Sequence, residues 1–137
     1  MTKLFLEITS EKNNIKKVEA LMQKANKGFR LPEDKFARMM IAVTEITMNA
    51  IVHGNKENSS KKVKVFVEYD KDYIKIVIMD EGGGFQITEL PDPTTTENIG
   101  DLHGRGIFIA RAMVDEFFYQ HHDGGGSEFV MIVRKKK

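Results

Sequence analysis

Hydrophobic positions along the chain alternate between two periods, and the order of those periods outlines the fold. Lys3–Thr9 alternates with the period of a strand, whereas Asn13–Lys27 carries Ile15, Val18, Leu21, Met22 and Ala25 at helical spacing. The run "LPEDKF" starts a second helix: Pro32 suits the first turn, and Glu33 and Asp34 favour the positive end of the helix dipole. Its pattern continues to Val52, with His53-Gly54-Asn55 as the stop. Lys62–Tyr69 and Tyr73–Met79 are β-rich and joined by Asp70-Lys71-Asp72, which predicts a hairpin. In it, Val63, Val65, Val67 and Tyr69 share a face, as do Ile74, Ile76 and Ile78.

Glu81–His103 has neither period and holds two of the three prolines; a stretch of that length is usually functional or mobile. Gly104–Phe117 returns to helix with Ile109, Ala112, Met113 and Phe117 on one stripe, and Phe118–His122 with Ser127–Arg134 predicts a last hairpin turning at "DGGG". Strands grouped in pairs, without strict β-α alternation, predict an α+β two-layer sandwich: a mixed sheet with helices on one face.

Composition narrows the class only slightly. A chain of 137 residues, 41% hydrophobic and 30% charged, suits one soluble domain spanning 1–137. The net charge of +1 points to no direct nucleic-acid surface, and the closing "RKKK" reads as a solvated tail. Absence of cysteine removes disulfides and thiolate chemistry, and no apolar run suits a signal peptide or a membrane span, so a cytoplasmic protein is expected.

Three places can carry chemistry. Glu45, Asn49 and His53 are spaced by four and form one line on the second helix, opposite the stripe Phe36, Met40, Val43, Thr47 and Ala50. That line is either a solvated face or, given the apolar shoulders Ile41, Ala42 and Val52, the wall of a cleft. Glu45 can take a proton or orient a hydroxyl, and the neutral oxygen of Asn49 suits Mg²⁺. In "DEGGGF", Asp80 ends a strand and Gly82 and Gly84 follow, either as a plain turn or as a place where a backbone or flat ligand approaches closely. In "HGRGIFIARAM", Gly104 and Gly106 flank Arg105 at a helix start, which is either simple helix entry or a phosphate site.

Taken together, "ExxxNAxxHG" at Glu45–Gly54, "DxGxGF" at Asp80–Phe85 and "GxG" at Gly104–Gly106 resemble the N, G1 and G2 boxes of the GHKL, or Bergerat-fold, ATPases. The short length and "HGRGIFIARAMVDEF" are most similar to the bacterial anti-sigma-factor serine/threonine kinases. The resemblance implies ATP and Mg²⁺ as cofactors, with Asn49 holding the metal and Glu45 as general base or orienter of the attacking hydroxyl. It implies that Asp80 accepts from the adenine amino group while Gly82 and Gly84 give the base room. Gly104, Arg105, Gly106 and Ile107 would lie along the phosphates, His53 and Ser127 near the nucleotide, and residues 86–103 would form an ATP lid. It further implies an anti-anti-sigma-type acceptor, a sigma factor as sequestered partner, and a homodimer. The G2 segment has two glycines where many relatives show a third. A nucleotide-gated binding module without phosphoryl transfer is the alternative that keeps the same site.

Overall fold

The computed structural model describes residues 1–82, 102–122 and 125–136. Five strands form one sheet: β1 (Thr2–Thr9), β2 (Lys62–Tyr69), β3 (Tyr73–Asp80), β4 (Glu116–His121) and β5 (Ser127–Arg134), in the spatial order β1-β2-β3-β5-β4. Three α-helices, α1 (Ile15–Phe29), α2 (Glu33–Asn49) and α3 (Leu102–Met113), accompany it among the described residues, with a short 3₁₀ turn at Lys12–Asn14 and a π-helical turn at Ala50–Gly54. The α+β sandwich is as expected; the mixed sheet is not. Every neighbouring pair of strands is antiparallel. The α3 crossover does return β4 in the direction of β3, but β5 turns back and inserts between them, so no two parallel strands touch.

Alternation along the strands sets the layers. Ile8, Val63, Val65, Val67, Ile74, Ile76 and Ile78 point inward and are sealed against Val18, Met22, Phe29, Met39 and Ile46 of the helices. Each such aliphatic side chain contributes roughly 1.5–3 kcal/mol of burial. The opposite face keeps Phe5, Phe66 and Phe118 exposed. α1 runs two residues past Lys27 because Gly28 leaves room for the Tyr69 hydroxyl, and Phe29 then meets the Tyr69 ring at 5.7 Å. Arg30 stops the helix in the left-handed region, at φ 63°, with its N–H on the Asn26 carbonyl at 2.8 Å.

Two helix boundaries differ from the sequence pattern. α2 ends as an α-helix at Asn49 and continues as one π-helical turn, Ala50–Gly54, in which Asn55 N–H reaches the Ala50 carbonyl at 2.8 Å. α3 starts at Leu102, inside the segment assigned to the lid, and stops at Met113. From Arg105 onward its buried residues are Gly106, Ile107 and Ala110, whereas the predicted stripe members Ile109 and Ala112 are exposed. Phe117 belongs to β4, opposite Met131. The chain leaves the helix early because Asp115 already pairs with β5, its N–H on the Ile132 carbonyl at 3.0 Å and its carboxylate accepting from Arg134 N–H at 2.6 Å. Among the described residues no helix is long and apolar enough to cross a membrane.

Candidate functional site

α2 presents its polar line where α3 packs over it, which changes what that line faces. Asn49 is buried at 4% exposure, and Glu45 and His53 are half-buried. The expectation that the line points away from the core is therefore corrected. Met39, Ala42 and Ile46 join Val43, Thr47 and Ala50 in the buried surface, while Phe36 and Met40 are only half-buried. With α3 above it, the line becomes one wall of a cleft of about 340 Å³, lined also by Lys12 and Gly106. A Cβ on Gly106 would stand 2.9 Å from Glu45 Oε2, so the glycine is what lets α3 approach the carboxylate. Both amide atoms of Asn49 are buried and, among the described residues, have no hydrogen-bond partner; the same holds for Thr47 Oγ1. Leaving such a group unpaired costs about 1–3 kcal/mol, which a ligand would recover.

At the end of β3, Asp80 is buried at 6% exposure. Register places it opposite Ser127, whose N–H donates to Asp80 Oδ1 at 3.1 Å, and Ser127 is itself buried. Asp80 Oδ2 is buried without a partner among the described residues. Burial pushes the carboxyl pKa from 3.8 up to about 6, against the pull of the nearby Ser127 and Gly82 N–H groups and of His121 and Lys61. Gly54, closing the π-helical turn, lies against this oxygen: any Cβ there would collide with Oδ2. The end of α2 and the end of β3 thus meet at one point, with an open amide on one side and an open carboxylate oxygen on the other.

Backbone geometry holds that junction. Gly82 has φ +80°, and a Cβ on it would strike the Gly126 nitrogen; Gly126, at φ +100°, lies against the Asp80 carbonyl. The two glycine turns are therefore stacked backbone on backbone. Asn55, buried at 1% exposure, ties them down: its Nδ2 donates to Ser10 Oγ at 2.8 Å and the Lys62 carbonyl at 2.9 Å, and its Oδ1 accepts from Glu81 N–H at 2.9 Å and Gly82 N–H at 3.1 Å. Lys61 Nζ adds a bond to the Gly82 carbonyl at 2.6 Å.

The third predicted place is at the start of a helix, as expected: Gly104, Arg105, Gly106 and Ile107 lie in the first two turns of α3, which begins two residues earlier, at Leu102. The Ile107 side chain is wholly buried in the core, so only its backbone could serve a ligand; Arg105 is exposed. Gly84 and positions 86–101 of the expected lid lie outside the described residues. The structure gathers Glu45, Asn49, His53 and Gly106 around the cleft, and Asp80, Gly82 and Ser127 at the strand ends that adjoin it through Gly54. Sequence reasoning read Gly54 and Asn55 as a helix stop and gave no site role to them, to Lys12 or to His121. Gly54 had a signal in the "HG" of its motif, whereas Lys12 and His121 reach the region only through tertiary packing.

Known proteins share this sequence pattern and this fold. The chain is 30% identical over 104 residues to the serine-protein kinase RsbW of Staphylococcus aureus, covering 71% of this chain and 65% of that protein. It is 27% identical over 97 residues to the serine-protein kinase RsbW of Bacillus subtilis, covering 66% and 61%. The match thus spans somewhat less than two thirds of either relative. Among solved structures, the RsbU and RsbW domains of Rv1364c from Mycobacterium tuberculosis superpose with a TM-score of 0.71 at 18% identity, over 98% of this chain and 32% of that one. The catalytic domain of the histidine kinase ThkA superposes with a TM-score of 0.59 at 16% identity, over 96% and 98%. Both likenesses are of fold. Residues 8–133 match the histidine kinase-like ATPase domain, and the chain belongs to that family.

Proposed function

We propose that this chain is a cytoplasmic, single-domain, ATP-dependent protein serine/threonine kinase of the anti-sigma-factor type. The observation that carries the reading is the pair of buried polar groups without partners among the described residues, the Asn49 amide and Asp80 Oδ2, at opposite ends of one junction. A fold that leaves both open is suited to a ligand that is polar at two separated points, as ATP is at its base and its phosphates. Relatives named serine-protein kinase support the choice of reaction.

The donor set fits both cofactors. Asp80 Oδ2 accepts from the adenine amino group beside Ser127, and Gly82 keeps the backbone close and without side chains there. The Asn49 oxygen is a hard neutral ligand of the kind Mg²⁺ takes alongside phosphate and water. When bound, the ion neutralises phosphate charge. Glu45, one turn before Asn49, orients the incoming serine or threonine hydroxyl and takes its proton as the oxygen bonds to the γ-phosphorus and ADP leaves. His53, Arg105 and the backbone of Gly104, Gly106 and Ile107 flank the phosphates.

In the same reading the acceptor is an anti-anti-sigma-type regulator, and the sequestered partner is a sigma factor. Two copies would pair through the outer face of the sheet. There Phe5, Phe66, Val77, Val130 and Phe118 are direct cross-strand neighbours, one apolar row across all five strands. Sedimentation of the parent and of Phe66→Lys tests the pairing: a dimer that becomes a monomer is expected, and a monomeric parent overturns it.

Incubation with γ-labelled ATP, Mg²⁺ and candidate regulators from the same cell tests the chemistry. Label should appear on a serine or threonine of the acceptor and disappear with Glu45→Ala. ATP binding without transfer to any candidate would favour the nucleotide-gated binder instead.

A further inference from the structure

We propose that His121 is a positioning residue of the base site, holding Asp80 in its hydrogen-bond-accepting form; this rests on the reading of Asp80 as the group that meets the base. The register places Asp80 of β3 opposite Ser127 of β5, and Ser127 opposite His121 of β4. Residues directly opposite one another in antiparallel strands project from the same face, so the three stand in one row across the end of the sheet. Ser127 is the short member, flanked in the row by its two longer neighbours. Its hydroxyl lies 3.4 Å from that of Tyr119, which is two residues before His121 and on the same face.

His121 Nδ1 is buried and, among the described residues, has no hydrogen-bond partner. Of the other charged groups around this corner, Lys61 shares with His121 the pull on the Asp80 carboxylate, and the rest are paired elsewhere. Lys61 donates to the Gly82 carbonyl at 2.6 Å, Glu81 accepts from the Lys62 N–H, and His122 is paired with Glu128 at 3.2 Å. His53, at the end of α2, belongs to the cleft beside Glu45 and Asn49. His121 is thus placed to answer to Asp80, and its positive charge favours the ionised carboxylate. An ionised Asp80 accepts from an exocyclic amine; a protonated one loses that acceptor.

The sign follows directly. Removing the imidazole removes a charge that holds the carboxylate ionised, so binding should fail at a higher pH. The test is ATP affinity by calorimetry between about pH 5.5 and 8.5, for the parent, His121→Gln, His121→Lys and Asp80→Asn. In His121→Gln the acid limb should move up by at least about half a pH unit, with less than roughly a threefold loss at pH 8. His121→Lys, a constant cation, should return the limb to the parental position or below it. An unmoved limb in His121→Gln, with binding abolished in Asp80→Asn, overturns the role of His121 and leaves the base site standing. Parental affinity in Asp80→Asn overturns both. Should His121→Gln not fold, as judged by circular dichroism, His121→Asn carries the same measurement.

Discussion

Asn49 and Asn55 are the same residue type, six positions apart and both buried, at 4% and 1% exposure, yet they are used in opposite ways. Asn55 has both ends of its amide committed, to Ser10, Lys62, Glu81 and Gly82. Asn49 has neither end committed among the described residues. The contrast extends to their surroundings. Ser10, beside Asn55, donates to the Lys61 carbonyl at 2.7 Å, whereas Asp80 and His121 each keep a buried atom without a partner among the described residues. A fully bonded buried polar group stabilises the fold; an open one costs stability and is explained by something that arrives later. The junction is therefore half framework and half socket.

The largest effect expected from breaking this contrast is at the framework residue. Asn55→Ala should cost roughly 3–4 kcal/mol in denaturant unfolding, because it orphans several buried groups at once. Next is Asp80→Asn, which should weaken ATP binding by about 2–3 kcal/mol, roughly thirtyfold or more by calorimetry. The same substitution should stabilise the ligand-free protein by about 1 kcal/mol at pH 8, since it removes a buried charge. The pH dependence checks the cause. With a folded-state pKa near 6 and an ordinary value of 3.8, the parent binds more protons folded than unfolded in that window. Its stability should therefore rise as pH falls from neutral through 6 toward 4, an increment absent in Asp80→Asn.

Asn49→Ala comes third. Its stability should stay within about 1 kcal/mol of the parent, since among the described residues it has no hydrogen bond to lose, while Mg²⁺-dependent ATP binding falls about tenfold. A loss of stability as large as that of Asn55→Ala would erase the distinction between the two asparagines. The smallest effect is expected for Gly106→Ala. The added Cβ meets only the far end of Glu45, 2.9 Å away, and alanine is the better helix former, by about 1 kcal/mol. Thermal stability should hardly change while phosphoryl transfer falls severalfold as Glu45 is pushed aside.

Much of this was legible in the chain, and the failures have a common cause. The alternation of Val63, Val65 and Val67 and of Ile74, Ile76 and Ile78 named the inner face of the sheet, because in a strand the side of a residue is fixed by parity alone. The motifs drew attention to Asp80, Ser127, Glu45 and Asn49, which the fold does bring to one region. The α3 stripe was misassigned because Ile109 and Ala112 look apolar enough for a core, while the contact surface is set by Gly106, whose value is that it has no side chain. No hydrophobic pattern registers that.

The sequence by itself determined where the strands and helices lie and which side of most of them is apolar, since propensity and period act over a few residues. Tertiary structure alone decided what covers each side: that α3 lies over Glu45 beside the buried Asn49, that β5 inserts beside β3 and so sets His121, Ser127 and Asp80 in one row, and that among the described residues Asn55 is saturated while Asn49 is left open. Those are relations between segments tens of residues apart. A local pattern can say that a polar group will be buried, but only the neighbours that the fold supplies decide whether it is satisfied.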